Sequence, residues 1–215
     1  MKLFCLSQQR RFGVLLEKFK QKQVLAYRHE ALKEKVSVTI LSENTSDNQT
    51  DNQSVNQKSK LRDNQIAIQD IQLEWLFDYH IFPENILLPA TQWQVEGRKI
   101  KVGDIILQQI NFPPFSRAPL KIICAVKVSQ LIDEPHKRGF AYETLQGHVE
   151  KGISVFTVEQ LTTGSLIFKI QTYSTPATWF ARLLAPVFSL PYQAYCTRAA
   201  LQNGLKSFQK VCKKA

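Results

Sequence analysis

His148 and Glu150 stand two residues apart in the stretch Gly139 to Gly152, which reads GFAYETLQGHVEKG. On an extended strand two such positions share a face. A histidine beside a carboxylate can exchange a proton near neutral pH, so the pair is a candidate for general acid–base work. Catalysis needs more than this: a nucleophile, a third orienting group, or a pocket that sets both beside a substrate. No such group is visible in the sequence around them. Gln146-Gly147-His148 reads as the turn of a hairpin, because glycine takes a positive φ without steric cost. A solvated hairpin tip is therefore the plainer expectation for both side chains.

The stretch resembles the signature GFAYGTLPGHPERGEE of an uncharacterised family of bacteria and plants. That family is catalogued as domain of unknown function number nineteen-ninety and placed in the START-like (SRPBCC, helix-grip) superfamily. Two flanking blocks carry the same resemblance. Ile132-Asp133-Glu134-Pro135 is similar to the family's VVDEP, and the run Tyr173 to Leu183, YSTPATWFARL, is similar to FSRPATWLARL. The similarity is clear over about residues 95–210 and weaker from Val24 onward. Glu143, Gln146 and Val149 replace a glycine and two prolines of the signature. Ile153 and Ser154 stand where it has two glutamates, and Thr175 replaces an arginine that could contact an anion.

The resemblance implies an α+β helix-grip (START-like) fold. In it a curved antiparallel sheet wraps around a long C-terminal helix, with an apolar cavity between them. The helix face Trp179, Leu183, Val187 and Leu190 would point at the sheet, mostly as core. Candidate ligand contacts are Arg117, Tyr142, His148, Glu150, Tyr173, Trp179 and Arg182. Burying ~300 Å² of apolar ligand would contribute about 7 kcal/mol gross, and association costs of several kcal/mol would leave a binder that is micromolar-class at best without polar anchors.

The bulk of the sequence agrees with one soluble domain. A chain of 215 residues can bury a sizeable core. No apolar run is long enough to span a bilayer, and Arg10 and Arg11 interrupt the short apolar start, so no signal peptide is read. Cys5, Cys124, Cys196 and Cys212 are far apart with no CxxC spacing, which argues against a disulfide or metal framework and fits a reduced cytoplasm. His29, His80, His136 and His148 do not cluster at ligand spacing, and no glycine-rich phosphate loop is present, so no metal and no cofactor is expected.

Charge is uneven. Residues 1–35 carry a net +6, residues 36–159 a net −3, and residues 160–215 hold seven basic residues and no acid. Basic ends attract anions such as phospholipid headgroups or nucleic acid, unless they are a solvated face. The aromatic residues beside these charges are spaced as core positions, which disfavours nucleic acid. Lys206, Lys210, Lys213 and Lys214 gather near the end of the last helix, where cations also complement the helix dipole.

The elements that must hold these residues follow from periodicity. Phe12, Leu15, Leu16 and Phe19 recur at helical spacing over residues 7–22, and an N-terminal helical extension is expected over 1–23 ahead of the domain at 24–215. A strand is predicted at Val36–Leu41. Residues 42–65 hold three copies of Asp-Asn-Gln and almost no apolar residue, so they are expected as a disordered polar insertion. Helical spacing resumes over Ile66–Tyr79, with Pro83 and Pro89 marking its exit. Strands are predicted at Gln92–Glu96, Asp104–Asn111, Leu120–Ile132, Gly139–Leu145, Gly152–Gln160 and Ser165–Tyr173, as an antiparallel meander. Thr175 and Pro176 then suit the cap and first turn of a long helical segment running to about Val211, kinked or split at Pro186 and Pro191.

Three function classes emerge: a module binding a small apolar or lipid-like molecule, a cyclase- or hydrolase-like enzyme in the same cavity, and a protein that meets an anionic membrane surface or a partner through its basic C-terminal helix. The first is the reading adopted. The second requires His148, Glu150, Tyr142 or Asp133 to face the cavity with shifted pKa values. Ligand identity and oligomeric state are left open.

Overall fold

The computed structural model describes residues 9–43, 68–113, 116, 119–148, 150–176 and 190–213. All of the predicted insertion except Ser42 and Glu43 lies outside them. Seven strands form one antiparallel sheet: β1 (Lys33–Ser42), β2 (Leu87–Thr91), β3 (Ile105–Phe112), β4 (Leu120–Glu134), β5 (Lys137–Thr144), β6 (Glu150–Gln160) and β7 (Leu166–Pro176). Their order is β1-β7-β6-β5-β4-β3-β2, so six strands follow one another as a meander and β1 joins its far end. The predicted α+β class and antiparallel meander are both present.

Side-chain alternation sorts the sheet into two faces. On the inner face, Ile106, Val126, Val128, Phe140, Phe156, Val158, Phe168 and Ile170 are buried. The C-terminal helix α4 (Leu190–Cys212) packs there, against β1, β7 and the short helix α2 (Glu74–Phe77). Gly204 of α4 makes the close approach: a Cβ at this position would sit 2.8 Å from the Phe168 ring and 3.2 Å from that of Trp75. Trp75 and Phe168 themselves meet edge to face at 5.1 Å. Asn203 pins the next turn by donating to the carbonyls of His80 and Ile81 at 3.0 and 3.1 Å.

The outer face is covered by helix α1 (Gln9–Lys20). Phe12, Leu16 and Phe19 dock on Ile105, Leu107, Ala125 and Leu145. A 12-residue helix containing Gly13 is marginal alone. Burying three large side chains at about 2 kcal/mol each is what holds it. After α1 the chain turns onto the end of β5: Leu25 donates to the Thr144 carbonyl at 2.9 Å and Gln146 to that of Gln23 at 3.0 Å.

Three predicted elements differ. Gln92–Glu96 is not a strand: Gln92–Val95 forms one helical turn, α3, and the strand is the preceding Leu87–Thr91. Pro89 therefore lies within a strand rather than beyond a helix; β2 is an edge strand, where a missing N–H is tolerated. The continuous helix expected over Ile66–Tyr79 is, from Ile68 on, a 3-10 turn at Ile68–Asp70 followed by α2. Arg138 holds this irregular segment, its Nη1 donating to the carbonyls of Ile68, Gln69 and Ile71 at 3.1–3.2 Å. Finally, Thr175 and Pro176 do not open a helix. They end β7, opposite Lys151 and Glu150.

Candidate functional site

A cavity of about 350 Å³ lies between the inner face of the sheet and α4. Its lining divides by strand. Ile86, Leu87, Ile110 and Ile122 form an apolar wall on the β2–β4 side, and Phe82, Phe156 and Ile170 extend the apolar surface. The opposite wall is polar because of register. Tyr142 faces Ser154, Ser154 faces Thr172, and Thr172 faces Lys35, so one row of polar side chains crosses β5, β6, β7 and β1. Ser154 stands where the signature resembled above has a glutamate, so at this position the row is neutral. Tyr192, Gln193, Cys196 and Thr197 cover the cavity from α4.

Tyr142, His148 and Glu150, three of the candidate contacts, all line this cavity. His148 is not a solvated hairpin tip. It keeps some surface toward the cavity, but its ring is packed about by protein, and that desolvation lowers its pKa to about 4. The imidazole is neutral near pH 7. Its Nδ1 accepts the backbone N–H of Glu150 at 3.1 Å, and its Nε2 lies 3.4 Å from Oε1 of Gln108. The contact of Nδ1 with the Glu150 carbonyl oxygen, 2.9 Å, would suit the other tautomer. Gln108 favours the first: its Nε2 donates to Tyr79 Oη at 2.7 Å, which leaves Oε1 to accept from His148. Tyr79 in turn donates to Tyr142 at 3.3 Å.

The turn itself is built by two glycines and a threonine. Gly147 has φ 92. Gly152 has φ 147, and a Cβ there would lie 1.8 Å from the Tyr173 carbonyl oxygen. Thr144 Oγ1 accepts the Gly152 N–H at 3.0 Å, closing the loop that carries His148 and Glu150. Lys22 adds a bond from Nζ to the Gln146 carbonyl at 2.8 Å.

The remaining candidates lie elsewhere. Tyr173 points from the opposite face of β7, bonded to Glu34 at 3.0 Å and to Gln171, because the cavity takes the alternate residues Thr172 and Ser174. Arg117, Trp179 and Arg182 lie outside the described residues, as do Leu183 and Val187. Asp133 is largely exposed and paired with Arg138 at 3.3 Å, away from the lining. The sequence reading missed Gln108, Ser154, Thr172, Lys35 and Cys196. Alternation marks Ser154 and Thr172 once the register is known; a buried glutamine and a cysteine on α4 carry no signal of their own.

Burial raises the Tyr79 and Tyr142 hydroxyls. It also raises Cys196 to about 11, with Glu150 adding to the shift while Tyr192 and Lys35 oppose it. Among the described residues no group of three or more His, Cys, Asp or Glu is placed to hold a metal. No helix among them is long and apolar enough to cross a membrane. Lys206, Lys210 and Lys213 lie near the end of α4.

Comparison with known proteins gives three likenesses. The profile of the family described as "Domain of unknown function (DUF1990)" matches residues 75–203. A UPF0548 protein of Deinococcus radiodurans is 33% identical over 85 residues, which are 39% of this chain and 43% of that protein. The chain thus spans less than half the length of this curated relative. A hypothetical protein of Helicobacter pylori, known from its crystal structure, aligns over 86% of this chain and 96% of its own at 9% identity and a TM-score of 0.48.

Proposed function

The chain belongs to the DUF1990 family, and we propose that it is a binding module that holds a small apolar or lipid-like molecule between the sheet and α4. The observation that carries this reading is the cavity of about 350 Å³, apolar on its β2–β4 side and edged by one polar row. Its volume lies in the range of small-molecule sites, and an apolar lining with a few convergent polar groups is their usual composition. The apolar part of a ligand would rest on Ile86, Leu87, Ile110 and Ile122, and its polar end on Tyr142, Ser154, Thr172 and Lys35. A helix laid over the inner face of an antiparallel sheet with a cavity between them also supports the helix-grip, START-like reading of the fold.

Binding is favoured over turnover by the state of His148. Both nitrogens of His148 are engaged within the protein, and a ring with a pKa of about 4 is a weak proton acceptor. Native mass spectrometry of the purified full chain, followed by denaturing extraction, tests the reading. A non-covalent adduct released as an apolar or amphipathic molecule is the expected result. An apo mass together with no thermal shift across fatty acids, isoprenoids and small metabolites would overturn it.

A further inference from the structure

The two edges of the sheet are built differently. β2 has five residues, contains Pro89 and runs directly into α3. A short edge with a proline resists pairing with another chain. β1 has ten residues and no proline, and its outer side is not paired to any strand among the described residues. Its outward face shows Val36, Val38 and Ile40 at 48%, 46% and 52% exposure. Large β-branched side chains left open along a long edge strand fit a partner strand better than water.

We propose that a second copy of this chain covers β1, joining the two sheets through an antiparallel β1–β1 pair about a twofold axis at Val38. The strand matches itself in this register. Val38 meets Val38 of the second copy, and Val36 meets Ile40 on both sides of the axis, so the three apolar residues cover one another. Shifting the axis to Ser37 would instead pair Val36 with Val38 and set Ile40 against Glu34, without an apolar partner. Cross-strand apolar pairs stabilise sheet pairing, and an isologous contact of this kind closes after two copies. A shift in the β1–β7 register between Ile40 and Ser42 ends the regular part of the strand just beyond Ile40, so the apolar triplet is the centre of the contact.

Sedimentation velocity of the full chain over a concentration series reads the association directly, and a monomer–dimer equilibrium is expected. Val38→Lys, which sets two cations opposite each other on the axis, should weaken it by about tenfold or more. Val102→Lys, at an exposed site away from β1, should leave it unchanged, and circular dichroism checks that both variants fold. Val38→Cys tests the register independently: mild oxidation should join the two introduced thiols in a disulfide seen by peptide mass spectrometry, whereas Val36→Cys should not link to itself. A chain that stays monomeric at every concentration would refute the dimer. A dimer that survives Val38→Lys, or a Val38→Cys variant that dimerises without linking, would refute this interface.

Discussion

The hydroxyl groups of Tyr79 and Tyr142 meet at 3.3 Å inside the core, and Tyr79 reaches that point from a left-handed backbone with φ 59. For a bulky residue this conformation costs about 1–3 kcal/mol. The ring offsets it by meeting Phe82, Phe140, Tyr142 and Phe156 edge to face at 5.9–6.1 Å. Its hydroxyl joins Gln108 to Tyr142, so one strained residue supports both the apolar floor and the polar row of the cavity.

Tyr79→Phe keeps the ring contacts and removes the hydroxyl. Gln108 and Tyr142 then lose a partner in a buried setting, where an unsatisfied group costs about 1–3 kcal/mol. Urea unfolding should show a loss of that size, and a variant as stable as the parent would mean that the Gln108–Tyr79–Tyr142 chain contributes nothing net.

His148 makes stability depend on pH. Its folded pKa of about 4 lies below the ordinary 6.5, so the unfolded chain binds the proton more readily between these values. The contribution of the neutral imidazole is complete above pH 6.5 and is lost as pH falls toward 4. The limit is about 3 kcal/mol, reduced to the extent that cavity water reaches the imidazolium. The unfolding free energy of His148→Gln should fall less than that of the parent over this window. Parallel pH profiles for the two proteins would show that the ring is solvated.

Gly204→Ala sets two effects against each other. Alanine gains about 1 kcal/mol of helix propensity. Its methyl, however, enters a space where the Phe168 ring stands 2.8 Å away, and overpacking of this kind costs about 1–3 kcal/mol. Net destabilisation is expected, with reduced hydrogen-exchange protection along α4 where it leaves Phe168 and Trp75.

Cys196→Phe fills the cavity from α4 without altering any residue of the sheet. Any co-purifying molecule should be lost from the native mass spectrum while the melting temperature changes by only a few degrees. Retention of the adduct would place the bound molecule somewhere else.

Much of the fold was legible because its strands are separated by Gly147, Pro135 and the Thr163-Gly164 pair and alternate cleanly between them. The site was legible only in part. Gln146-Gly147-His148 was readable as a turn, but its burial was not, since the segment that covers it comes from Gln23 to Leu25, far away in sequence. Tyr142 and Tyr173 looked equivalent as aromatic anchors. Which of them enters the cavity depends on the parity of β5 and β7 in the assembled sheet, and a shift of one residue exchanges the two faces. Pro89 misled for a related reason: a proline is excluded from a central strand but not from an edge, and sequence alone does not say which strand is outermost.

The position of β1 beside β7 also orders events in time. Each pairing from β2 to β7 joins neighbours along the chain and can zip locally. The pairing of Lys33 with Ser174 must instead close a long stretch of the chain, and such non-local contacts form slowly. The wall that contributes Lys35 is therefore expected to be the last part of the sheet to assemble. The β1–β7 pairing is thus the step at which refolding should be slowest, and a probe on β1 would report the closing of that wall.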